Sequence, residues 1–149
     1  MKPTLLLIPA LALAAASATG QQVRVELTPA MVTNEAAFGD PSGMVDEQRE
    51  IIGPPAGAPT MIWKVESQHN SGFPVSAHLD LGAEKKLASL WLFDTHNSGG
   101  VVISAGSPGN WTPVANYDCG SYMKWAEIKL DVINRYLRIT RQTPRAKFN

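Results

Sequence analysis

The chain has 149 residues, enough for one domain, and 44% of them are hydrophobic, as in a protein that buries a real core. Thirteen basic side chains balance thirteen acidic ones, so the formal net charge is zero. With no basic run along the sequence, non-specific binding to nucleic acid or to an anionic membrane is set aside as its function.

In chain order, the first feature is a leader. Lys2 precedes an almost wholly apolar stretch from Leu5 to Ala18, which ends in Ala16-Ser17-Ala18, a small-x-small pattern suited to signal peptidase. The run of about fourteen residues is short of the roughly 20 that a membrane-spanning helix needs. No cysteine follows it to carry a lipid. The sequence predicts a signal peptide over residues 1–18 and a mature domain over residues 19–149, with no membrane span after cleavage. The expected location is secreted, extracellular or periplasmic.

Beyond the leader, alternation and turn signals dominate and helical periodicity is scarce. Val23, Val25 and Leu27 alternate with polar residues and predict a strand that Pro29 ends. Residues 53–59 hold three prolines and two glycines and read as a loop. A short strand is expected over Thr60–Val65. Ala77, Leu79 and Leu81 alternate with Ser76, His78 and Asp80, and Gly82 is read as the end of that strand. Leu87–Phe93 is nearly continuous apolar and predicts a central strand buried on both faces. Asp94–Gly100 reads as a turn, Val101–Ala105 as a strand, and Gly106–Asn110 as another turn. Further strands are expected over Lys124–Leu130 and Tyr136–Thr140. Many short strands separated by Gly, Pro, Asn and Asp turns indicate an all-β sandwich or barrel. Cys119 is the only cysteine, so no internal disulfide helps the core. No His neighbours it to activate a nucleophile, and it reads as structural.

Several of these segments, in order, resemble the discoidin or coagulation-factor type C domains of the galactose-binding-like class. Ser76-Ala77-His78-Leu79-Asp80-Leu81-Gly82 followed by Leu90-Trp91-Leu92-Phe93-Asp94 is similar to the central strands of that family. Gly106-Ser107-Pro108-Gly109-Asn110-Trp111 resembles its turn before a tryptophan, Arg135-Tyr136-Leu137-Arg138-Ile139 its late strand, and Trp63 its early tryptophan. The resemblance covers most of the chain from about Val45 onward and implies a jelly-roll β-sandwich that binds ligands with loops at one end. The family usually closes with a further strand carrying a Glu and an aromatic residue. This sequence stops at Ala146-Lys147-Phe148-Asn149, which favours a fragment of a longer protein.

A glycan site needs an aromatic face for the apolar side of a sugar ring, with amides, carboxylates or guanidinium groups for its hydroxyls. The loops offer His96 and Asn97 after the central strand, Trp111 after its Pro-Gly-Asn turn, and Tyr117 and Tyr122 flanking Cys119. His69, Asn70 and Phe73 sit in a further polar loop. Trp63, Trp91 and Trp125 lie on strands and read as core. For Trp111, Tyr117 and Tyr122 packing and ligand contact both stay open. The resemblance also implies a structural Ca²⁺, for which Asp40 and Asp46 are the candidate ligands. Glu47 follows Asp46 in place of the family's Asp-Gly pair, which favours a solvated loop. Asn110-Trp111-Thr112 is formally an N-glycosylation acceptor. No paired carboxylates, Gly-x-Ser-x-Gly element or His-Glu-x-x-His motif supports catalysis. The expected function is a secreted, non-catalytic carbohydrate-binding module of a larger extracellular enzyme or adhesin, with a glycan or cell-surface polysaccharide as partner. The alternatives are a protein-binding or cell-surface adhesion module and a structural spacer.

Overall fold

The computed structural model describes residues 22–45 and 55–148. The expected leader over residues 1–18 and the candidate ligand Asp46 lie outside the described residues. The alternating stretches pair into five antiparallel strands: β1 (Val32–Asn34), β2 (Val75–Asp94), β3 (Gly100–Ser107), β4 (Asn110–Asp118) and β5 (Lys124–Arg141). Their order in the sheet is β1-β2-β5-β3-β4. Short 3-10 turns at Pro29–Met31, Pro41–Met44 and Ser67–Gly72 are the helical elements among the described residues.

The period of two decides which side chains enter the core. Val75, Ala77, Leu79 and Leu81 of β2, Val101 and Ile103 of β3, and Leu137 and Ile139 of β5 are buried. In register with one another, His78 and Asp80 of β2 and Arg138 and Tyr136 of β5 take the alternate positions and turn to the other face. Register is strongly specified here, because a slip of one residue would exchange the two sets.

β2 and β5 serve two layers. Leu79 and Leu92 belong to one strand, and extended backbone would hold them about 40 Å apart. Both nevertheless line one gap of about 30 Å³, with Leu90, Ile139 and Phe148. The β2–β5 ribbon therefore folds back over the five-stranded part, and the core lies between the layers of a β-sandwich. The bend falls between Asp80 and Lys85, where the β2–β5 register shifts. Gly82 there has φ +78, a left-handed conformation that suits glycine, and open space surrounds it.

The all-β sandwich expected from the sequence is the architecture found, while several element boundaries differ. Val23–Leu27 is not a strand: Val25 and Leu27 pack, half-buried, against the core without a ladder partner. Thr60–Val65 makes one bridge, Lys64 with Asp40, and its Trp63 N–H donates to the Phe148 carbonyl (3.2 Å), so it joins no ladder. Gly82 bends β2 instead of ending it. Within Leu87–Phe93, Leu87, Leu92 and Phe93 are buried, but residues 88–91 are half-buried because the returning ribbon has one open face. The two late strands are one continuous β5. Trp63 is fully buried, whereas Trp91 and Trp125 are half-buried, and the Trp125 indole donates to the Gly57 carbonyl at 2.7 Å.

Candidate functional site

Asp94, the last residue of β2, organises one end of the sandwich. It is fully buried and its carboxylate is saturated with donors. Oδ1 accepts from the backbone N–H groups of His96 (3.1 Å) and Asn97 (3.0 Å). Oδ2 accepts from the Ser121 N–H (2.9 Å) and the Tyr117 hydroxyl (3.2 Å). Its carbonyl takes the Met123 N–H at 2.7 Å, and Cys119 donates to the Gly99 carbonyl at 2.8 Å. Burial alone would raise the Asp94 pKa, but the bonds from Ser121, Asn97, His96 and Tyr117 outweigh it and hold the carboxyl below its usual value. One anion thus clamps the 94–99 turn to the 117–123 turn. Asn97 completes the first turn at φ 54, a left-handed conformation that asparagine tolerates. His96, Asn97, Tyr117 and Tyr122 therefore share this end, with His96, Asn97 and Tyr122 exposed and Tyr117 half-buried. Cys119 is buried beneath, and burial pushes its thiol up to about 11, away from the thiolate form.

Beside His96 lies a cavity of about 250 Å³ between the 65–73 loop, the 94–97 turn and the 141–147 segment. Among the described residues Asn70, Phe73, His96, Arg141, Arg145 and Lys147 line it, and no carboxylate does. The 141–147 segment is pinned here by backbone bonds: Gln142 N–H to the Gly100 carbonyl (2.9 Å), and Thr95 N–H to the Lys147 carbonyl (3.1 Å). The Thr95 hydroxyl also donates to the Lys147 carbonyl at 2.9 Å. Arg141 is fully buried between two aromatic rings, its Cζ 5.4 Å from the centroid of Trp63 and 5.2 Å from that of Phe73. Nη1 donates to the Trp63 carbonyl (2.8 Å) and Nη2 to the Pro144 carbonyl (3.3 Å), while Nε is buried without an acceptor. Burial lowers its pKa to about 10, still well above neutrality.

Trp111 is not with the other candidates. The β3–β4 hairpin turns at residues 108–109 and places Trp111 opposite Gly106. β3 begins beside the 94–99 turn, so its far end is about 20 Å away at the rise of an extended strand. There Trp111 packs on the outer sheet face, 5.5 Å from the His78 ring and 6.0 Å from the Arg138 guanidinium. Glu35 joins those two groups, to His78 Nδ1 at 2.9 Å and Arg138 Nε at 2.7 Å, so the cluster satisfies itself. Asp40 caps the Pro41–Met44 turn, its Oδ1 accepting from the Ser42 N–H (2.9 Å) and hydroxyl (2.6 Å). Among the described residues no three His, Cys, Asp or Glu side chains gather as a metal site. Asp40 alone does not supply the roughly six to eight oxygens that Ca²⁺ takes.

Of the residues singled out from the sequence, His96, Asn70 and Phe73 line the cavity, whereas Asn97, Tyr117 and Tyr122 lie in the adjoining turns; Asp94 as the clamp, and Arg141, Arg145 and Lys147 as cavity wall, were not foreseen. Arg141 carried a readable signal: it continues the inward series Leu137, Ile139 and so stands at a core position. Arg145 and Lys147 carried none, because the 143–148 segment takes its place only through tertiary contacts such as Trp63 N–H to the Phe148 carbonyl (3.2 Å).

No family model matches the chain, and no curated protein does. Solved structures do. A family 32 carbohydrate-binding module from C. perfringens NanJ, in complex with galactose, is 16% identical with a TM-score of 0.59, over 85% of this chain and 91% of that one. Chitosan-binding module 2 of a chitosanase/glucanase from Paenibacillus sp. IK-5, in complex with chitotriose, is 16% identical with a TM-score of 0.58, over 84% and 95%. The family 32 module of AlyQ, in complex with 4,5-unsaturated mannuronic acid, is 21% identical with a TM-score of 0.56, over 78% and 85%. The chain has the galactose-binding-like β-sandwich fold that these carbohydrate-binding modules share.

Proposed function

We propose that this chain is a non-catalytic carbohydrate-binding module whose site is the loop-end cavity at His96. The observation that carries this reading is the convergence of an aromatic ring (Phe73), an amide (Asn70), an imidazole (His96) and cationic donors on one recess. That set matches the two faces of a sugar, an apolar ring side and a rim of hydroxyls. Asp94 fixes the 94–97 turn beforehand, so little ordering is lost on binding. The similar modules bind galactose, chitotriose and an unsaturated mannuronic acid, which supports a saccharide for this fold without choosing one.

The leader-like segment over residues 1–18 supports export, and no helix among the described residues is long and apolar enough to cross a membrane. Attached to a larger extracellular enzyme or adhesin, such a module raises the local concentration of its partner domain on a polymer.

A glycan array probed with the mature chain tests this reading. The expected result is selective binding that falls about tenfold in His96→Ala and Asn70→Ala, each of which removes a polar contact. A blank array from folded protein overturns it. Capture by cells or a protein partner, unaffected by free sugars, would favour the adhesion-module alternative. The same array in a chelator decides whether the Ca²⁺ expected at Asp40 and Asp46 contributes.

A further inference from the structure

Charge is unevenly placed in this neutral chain. Arg141, Arg145 and Lys147 all line the cavity, with His96 as a further nitrogen base and no acidic residue among them. Arg141 is the informative member. A buried guanidinium ordinarily has a carboxylate beside it, because an isolated buried charge is costly. Both of its acceptors here are neutral carbonyls, and Nε has none. No ion pair joins Arg141 to a carboxylate among the described residues, whereas Arg135 and Arg138 on the outer face each have one. Trp63 and Phe73 hold the group in place by their rings, so its orientation is fixed before any ligand arrives. Burial depresses its pKa.

We infer that the cavity takes a sugar bearing a carboxylate, with the anion seated against Arg141, Arg145 and Lys147 and the apolar ring side toward Phe73. This rests on the carbohydrate-binding reading above and names the ligand class for that same site. The volume, about 250 Å³, is below that of pockets for drug-sized ligands and suits a single ring with the remainder of the chain outside. Guanidinium and ammonium donors favour a carboxylate over a hydroxyl because charge-assisted hydrogen bonds are roughly twice as strong as neutral ones. A uronic acid within a polymer and a terminal sialic acid present the same anion, and separate arms of the experiment tell them apart.

The test is calorimetric titration of the mature chain with trigalacturonic acid, its methyl ester and a sialyl-lactose, with lactose and chitotriose as neutral probes. The ester keeps the shape and removes the charge. The expected result is binding of at least one acid, weakened about tenfold or more for the ester and further by added salt. Arg145→Gln and Lys147→Gln alter only side chains at the rim and are each expected to weaken acid binding about fivefold or more. Arg135→Gln, on the outer face about 20 Å along β5 from Arg141, makes the same charge change and leaves binding unaltered. Arg141→Gln adds the buried cation to the series, but the inference does not depend on that variant folding. Equal binding of acid and ester, or acid binding unaffected by Arg145→Gln and Lys147→Gln, overturns the inference and leaves the carbohydrate reading intact. Failure to bind any saccharide overturns both.

Discussion

Asp94 is a buried carboxylate that stays charged because four donors converge on it. Its folded pKa lies below the ordinary value of about 3.9. The stability that this network supplies is therefore complete above about pH 4 and is lost as pH falls through the lower, folded value. Asp94→Asn places an NH₂ group against donors, so it is expected to cost about 2–3 kcal/mol in urea unfolding. The variant is also expected to flatten the acid limb of the stability profile. A wild-type stability at neutral pH with the acid limb unchanged would contradict this role. Cys119, buried beneath the same clamp with its thiol raised to about 11, is expected to react with iodoacetamide about a hundredfold more slowly folded than unfolded. Rapid labelling of folded protein would mean that the 117–123 turn opens readily.

At the scale of elements, the junction of the 94–99 turn with the 143–146 segment is tight. Gly99 has φ +92, and a Cβ there would stand 2.6 Å from the Ala146 nitrogen and 2.6 Å from the Thr143 hydroxyl. Gly99→Ala is expected to destabilise by about 1–3 kcal/mol through backbone strain, with added clash. Because that segment continues into Arg145 and Lys147, the variant is also expected to weaken saccharide binding; thermal melts and a glycan titration read the two effects separately. The strands were largely legible from alternation, as in Ala77-His78-Leu79-Asp80-Leu81. The bend in β2 was not, because a glycine with open space around it reads as a stop signal whether a strand ends or merely turns. Val23–Leu27 shows the converse: alternation reports burial of one side, and a strand needs a ladder partner as well. Of the candidate site, His96 and the loop of Asn70 and Phe73 were legible from their polar and aromatic residues, whereas the 117–122 turn supports the 94–99 turn through Asp94 without lining the cavity. The separation of Trp111 was not legible, since strand length and hairpin position decide which end of a sandwich a loop occupies.

For the whole molecule, one fold places two polar-aromatic clusters at separate points, and their electrostatic states differ. On the outer face Glu35 satisfies His78 and Arg138, and Asp80 holds Arg135 by two bonds of 2.7 Å. At the loop end the cations line a cavity that has no carboxylate among the described residues, and a buried guanidinium nitrogen has no acceptor among them. A cluster already paired with itself offers little to a ligand, whereas an unpaired one gains by binding. The most direct measurement of where a saccharide sits is the map of amide shift changes in an isotope-labelled chain saturated with its best-binding saccharide. Perturbations are expected to concentrate at Asn70, Phe73, residues 94–97 and residues 141–147, with the amides of His78, Trp111 and Tyr136 unmoved. A footprint centred on Trp111 and the outer face, with the loop-end cavity silent, would contradict that placement.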